Sequence, residues 1–264
     1  MVARAGRAAT LVATALAFAA GDASAGARSR PLFEPTDLEL EEAGVVQLDT
    51  QFGMMRSADG PSRLIVPDVE LDIGLARNVE LDIDASYAIE GPDAGPFALD
   101  HAAPDNVWVA AKVGLLDVRD LAAHTAWALG VQLGPKLPVA HGTSRLGAEG
   151  LLLVGRTMGR AHLVLNVGGL VDPYVEDTGR ARGYEAGLDF AVDLDAQGTW
   201  SLLAELGGVR FVSDDASQLH ATLGASVSAT EWLDLSATGL VGLLEGGDRL
   251  GLLFGVSPKL ATLR

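Results

Sequence analysis

The stretch DVELDIGLARNVELDIDASY, Asp68 to Tyr87, carries six carboxylates within seventeen residues: Asp68, Glu70, Asp72, Glu80, Asp82 and Asp84. Carboxylates gathered this closely hold cations, share protons or pair with lysine and arginine. The spacing is not that of a calcium loop: DVELDIG lacks the D-x-[DN]-x-[DN]-G order, and an extended strand has the wrong geometry for it. Nor do the five histidines, His101, His124, His141, His162 and His220, offer H-E-x-x-H spacing. A metal site joining His162, His220 and a carboxylate is less favoured than a reading of both as polar residues facing inward. Ser226 and His220 are six apart on one segment, roughly 20 Å at strand rise, too far to bond each other. G-x-x-x-x-G-K-[ST] and G-x-S-x-G are both missing. With no cysteine, thiolate zinc sites and cysteine nucleophiles are excluded. The expectation is therefore no enzyme: no catalytic residue, no cofactor and no metal ligand is assigned.

Something must position six carboxylates, and their neighbours say what. Val69, Leu71, Ile73, Leu81 and Ile83 alternate with them. That is the period of a β-strand, whose successive side chains point to opposite faces. The same period recurs along the chain in segments of about ten residues, each closed by Gly, Pro, Asp or Asn. Twelve segments are expected: Val45–Met54, Leu64–Leu75, Val79–Glu90, Val107–Leu115, Thr125–Leu133, Ala148–Thr157, Ala161–Val171, Tyr184–Leu194, Thr199–Gly207, Gln218–Ala229, Leu233–Leu243 and Arg249–Ser257. One face reads Val46, Leu48, Phe52, Trp127, Leu129, Val131, Leu188, Phe190, Leu202, Leu223 and Leu252. The other reads Asp49, Lys112, Gln132, Lys136, Asn166, Glu185, Asp189, Glu205 and His220 together with the six opening carboxylates. The sixth segment, AEGLLLVGRT, is apolar on both faces and takes no orientation from its pattern.

Alternation alone also suits a soluble sandwich. Three features favour a membrane barrel. The segments match the nine to eleven residues or so that a tilted strand needs to cross a bilayer. Their number is even. Connections alternate tight (Ala76–Asn78, Met158–Arg160, Asp195–Gly198, Thr230–Trp232) and long (Gly91–Asp105, Pro138–Arg145, Asp172–Gly183, Arg210–Ser217), with two that fit less well: Asp117–His124 is long for its end and Glu245–Asp248 short for its end. In lipid only a closed barrel pairs every backbone group of a strand, so its apolar face turns out and its polar face lines the interior. The fold class expected is all-β, an antiparallel up-and-down transmembrane barrel of about twelve strands. In this register Leu75 faces Val79, Asp72 faces Asp82 and Glu70 faces Asp84; opposed like charges need water, counterions or basic residues nearby.

The ends and the bulk composition agree. Arg4 and Arg7 precede the apolar run Ala8 to Ala20, then Ala23-Ser24-Ala25, the order of a secretory signal peptide. The division expected is signal peptide 1–25, periplasmic lead-in 26–43 and barrel 44–264. Of 264 residues, 35 are acidic and 19 basic, for a charge of -16. Such a chain is no candidate for nucleic-acid binding, which needs clustered Lys and Arg.

The expected mature start, RPLFEPTDLELEEAGVVQLDTQFG from Arg30, and the hairpin PDVELDIGLARNVELDIDASY resemble the MetA-pathway-of-phenol-degradation family of bacterial outer-membrane proteins. GPKLP (134–138), LVLNVGG around Asn166, LLAELGG (202–208) and LLFGVSPKL near the end are similar to that family's later strands. The resemblance implies an outer-membrane β-barrel of a Gram-negative bacterium that passes small, often hydrophobic or aromatic, molecules, and supplies no catalytic motif. The partners expected are outer-membrane lipid, the outer-membrane assembly machinery and a small-molecule solute. The alternatives are a soluble periplasmic β-barrel that binds a ligand and an outer-membrane lipid hydrolase.

Overall fold

The computed structural model describes residues 40–57, 62–90, 102–104, 106–120, 122–176, 179–212, 217–244 and 246–262. The expected signal peptide and residues 26–39 of the lead-in lie outside them. The strands in chain order are β1 Val45–Ser57, β2 Ser62–Ala76, β3 Val79–Glu90, β4 Ala102–Pro104, β5 Val107–Asp120, β6 Thr125–Leu137, β7 Thr143–Ser144, β8 Gly147–Met158, β9 Ala161–Val171, β10 Tyr174–Val175, β11 Arg182–Asp193, β12 Trp200–Phe211, β13 Gln218–Thr230, β14 Leu233–Gly242 and β15 Asp248–Thr262.

Twelve long strands close one antiparallel ring. Each pairs with its predecessor among the long strands, and β1 pairs with β15 to shut the seam. The short β4 lies in line with β5 and extends its pairing along β3, from Asp84 opposite Trp108 to Tyr87 opposite Pro104. β7 and β10 pair with each other and tie two long connections together, with Arg145 stacked 5.3 Å over Tyr174. Closure leaves no sheet edge along the ring, so the strand backbones pair with one another all the way round.

The four tight connections named above fall at one end of the ring; the links between β1 and β2 (58–61) and between β14 and β15 (243–247), at the other end, are also short. Two of the four use glycine in the left-handed region: Gly159 (φ 63) between β8 and β9, and Gly198 (φ 68) between β11 and β12. In the second, Asp195 accepts hydrogen bonds from the backbone N–H groups of Gln197, Thr199 and Trp200 at 2.9 to 3.0 Å. Those three bonds hold its carboxyl below the ordinary value of 3.8, the bond from Thr199 being the largest cause. The long connections gather at the other end.

Several strands run past their expected limits, and β5 shows why. It was expected to stop at Leu115 but continues to Asp120, paired with Thr125–Leu129 of β6. A bulge between Gly114 and Leu116 shifts the register there, so the two-residue period breaks while the hydrogen-bonded ladder goes on. The first hairpin needs a smaller correction. Asp72 stands opposite Asp82 and Glu70 opposite Asp84, but a shift at the turn pairs Val79 with Ala76, not with Leu75.

The ring is inverted relative to a soluble barrel. Leu133, Tyr184, Leu223, Leu250 and Phe254 are exposed on its outside, Leu223 at 69 %. Gln47, Asp49, Glu70, Asp72, Asp82 and Asp189 are buried inside, none above 6 % exposed.

Candidate functional site: the barrel interior

β1, β2 and β3 build an acidic wall. Their registers put Gln47 beside Asp72, Asp49 beside Glu70 and Gln51 beside Asp68, and the hairpin adds Glu80, Asp82 and Asp84. Because a strand's side chains alternate, one correct register brings the whole file to one face. Gln47 Nε2 donates to Asp49 Oδ1 at 3.1 Å. Oxygens of Asp72, Glu80 and Asp82 lie within 4.8 Å of one another. Two residues from the next strands meet this cluster. Lys112 of β5, opposite Glu80 in the ladder, places Nζ 2.7 Å from Glu80 Oε1. Gln132 of β6 donates from Nε2 to Asp82 Oδ2 at 2.6 Å.

The remaining expected residues face inward on other strands. Lys136 of β6 forms ion pairs with Glu149 of β8 and, at 3.5 Å, with Asp172. Glu185 of β11 is buried in the same quarter. Asn166 Nδ2 donates to Asp189 Oδ2 at 2.6 Å. Glu205 bonds both His220 (3.0 Å to Nε2) and Thr222 (2.8 Å from Oγ1). Gly207 sits against this group, and a Cβ there would come within 2.5 Å of Glu205 Oε1.

Sequence reasoning missed three parts of the interior. The first is an apolar wall: Trp108, Ala110, Ala128, Leu151, Leu153, Val164, Ala191 and Leu203 form one buried cluster on β5 to β12. The sixth segment, which had no legible orientation, supplies its centre: β8 turns Glu149, Leu151, Leu153 and Thr157 inward. The second is the linkage, near the tight-turn end, of His162 and Asp193, which the alternation had turned inward, into one chain of side chains. Thr157 Oγ1 is 3.3 Å from His162 Nδ1, His162 Nε2 is 3.2 Å from Asp193 Oδ2, and Ser201 donates to Asp193 Oδ1 at 2.7 Å. His162 thus lies at the tight-turn end of β9, while His220 lies near the opposite end of β13. They share no metal site. The third is the segment 40–44, which folds across the tight-turn mouth. Gly44 N–H donates to Gly74 O at 2.7 Å, the Glu41 N–H donates to Glu80 Oε2, and Glu41 is 3 % exposed. Gly74 permits the approach, since a Cβ there would sit 2.2 Å from Glu42 O. Its signal in the sequence was only the acidic run Glu39-Leu40-Glu41-Glu42.

The fold is that of bacterial outer-membrane β-barrels. The COG4313 outer membrane channel from Pseudomonas putida F1 superposes with a TM-score of 0.60 at 14 % identity, over 86 % of this chain and 99 % of that one. The β domain of the Bordetella autotransporter BrkA aligns with a TM-score of 0.48 at 12 % identity, over 83 % of this chain and all of that one. No family model and no curated protein sequence matches the chain.

Proposed function

We propose that this protein is an outer-membrane channel or transporter of a Gram-negative bacterium, exported by its N-terminal segment. The role is passage of a small solute, not catalysis. The observation that carries this reading is the inverted barrel: large apolar side chains outside, carboxylates inside. In water that arrangement exposes the wrong face, whereas in a bilayer it satisfies both. The likeness of the hairpin 67–87 to the MetA-pathway family and the superposition on an outer-membrane channel support the same role.

The interior has two characters, and the solute should match both. The acidic wall lowers the energy of a cation and raises that of an anion. The Trp108–Leu153–Leu203 cluster, packed at 0 to 5 % exposure, gives another part of the interior an apolar character. The reading is therefore a narrow path for a small aromatic or aliphatic molecule that prefers a positive group. Carboxylates at 1 to 6 % exposure exclude a wide aqueous bore beside them. In planar bilayers under a salt gradient, the reversal potential should show cation preference, weakening as salt rises and screens the charges. Asp72→Asn with Asp82→Asn removes two facing charges at constant shape and should reduce the preference. Anion preference, or no change in the double variant, would overturn the acidic-path account.

A further inference from the structure

The charges on the outside of the barrel are of one sign. Leaving aside the exposed tip of β5, where Asp117 and Arg119 pair with each other, the strand carboxylates with described side chains turn inward. The outward charges are arginines: Arg56, Arg156, Arg182 and Arg210. In a chain of net charge -16 this segregation is not a property of the composition. It belongs to the wall that meets the lipid.

Two of these arginines form a pair. Arg210 of β12 stands opposite Tyr184 of β11, and the Val212 N–H bonds the Arg182 carbonyl, so Arg182 and Arg210 are diagonal neighbours. Diagonal positions on adjacent strands lie about 7–8 Å apart, within reach of two long side chains closing on one group. Both are exposed, and both alternate correctly with buried neighbours, Gly183 and Phe211. Among the described residues no carboxylate lies within ion-pair distance of either. Tyr184 stands beside them at 68 % exposure. Toward the tight-turn end the same face continues as Leu206 and Leu188, both above 40 % exposed. A guanidinium pair suits a phosphate, which it can engage through several charge-assisted hydrogen bonds. An exposed tyrosine at the border of an apolar band suits the headgroup level of a bilayer.

We propose that Arg182, Arg210 and Tyr184 form a docking patch for the phosphate of a lipid headgroup in the leaflet at the long-loop end, with the acyl chains lying on Leu206 and Leu188. The proposal rests on the membrane-spanning reading, and the test separates the two. The full chain is refolded into phosphate-free maltoside micelles, with and without bisphosphorylated lipid A, and its thermal unfolding followed by tryptophan fluorescence. Cooperative unfolding of the wild type in plain micelles tests the membrane reading alone. Lipid A should raise the midpoint of the wild type, and lipid A stripped of phosphate should not. Arg182→Gln with Arg210→Gln should lose most of that rise; Arg156→Gln, near the other end, should keep it. If the glutamine pair does not refold, Arg182→Lys with Arg210→Lys keeps the charge but not the planar fork, and should show a smaller rise. A rise undiminished in both pairs, one lost equally in Arg156→Gln, or one reproduced by inorganic phosphate alone would overturn the proposal.

Discussion

With its ammonium 2.7 Å from Glu80 and both side chains at most 3 % exposed, Lys112 faces the tightest knot of carboxylates in the wall. Taking two charges out of water is costly, and removing one partner leaves the other uncompensated. Lys112→Met should therefore destabilise the barrel by about 3–5 kcal/mol, read from urea unfolding of the lipid-refolded protein. A cost near zero would mean that the carboxylates do not depend on this lysine. A second residue-scale test lies in the turn between β11 and β12. The Asp195 carboxylate, lowered by its backbone bonds, stabilises the turn above its unfolded value and loses that contribution only as pH falls through its own depressed value. Amide exchange at Thr199 and Trp200 should stay slow as pH drops through the ordinary carboxylate range and quicken only below it. Quickening already at the ordinary value would contradict the three-bond geometry.

Strands decide which face each residue meets, and this is where the sequence was most legible. Over 68–73 of β2 and 79–84 of β3 apolar residues alternate with carboxylates, so a register that pairs Asp72 with Asp82 follows from the two-residue period and a tight turn. β8 was illegible for a physical reason. Leu151 and Leu153 line the interior while Leu152 is exposed outside, so both faces of one strand are apolar and the period carries no sign. The interior cluster they join brings together residues from β5 to β12, a juxtaposition that ring closure creates and local patterning does not contain. Nor does the acidic run before Gly44 announce that its backbone will lie against Gly74. The facing assignment is testable on β13. Leu223→Arg places a charge on the outward face near the strand's middle, at a cost of about 2–4 kcal/mol if that face meets hydrocarbon. On a water-facing surface the same change would stay within about 0.5 kcal/mol. Refolding into lipid vesicles measures the difference, and the smaller figure would favour a soluble barrel.

At the scale of the molecule, one ring sorts the chain's charge and its apolar surface into separate compartments. Acidic and apolar walls share the interior, arginines fringe an apolar exterior, and the tight and long connections occupy opposite ends. The claim beneath the rest is that this ring crosses the outer membrane with its long connections outward. Because the chain has no cysteine, single cysteines report position without background. His141 lies exposed in the connection between β6 and β8, and Arg77 in the tight turn between β2 and β3. On intact cells an impermeant thiol reagent should label His141→Cys and leave Arg77→Cys unlabelled until the outer membrane is opened. Equal labelling of the two before opening, or labelling of Arg77→Cys alone, would contradict the account.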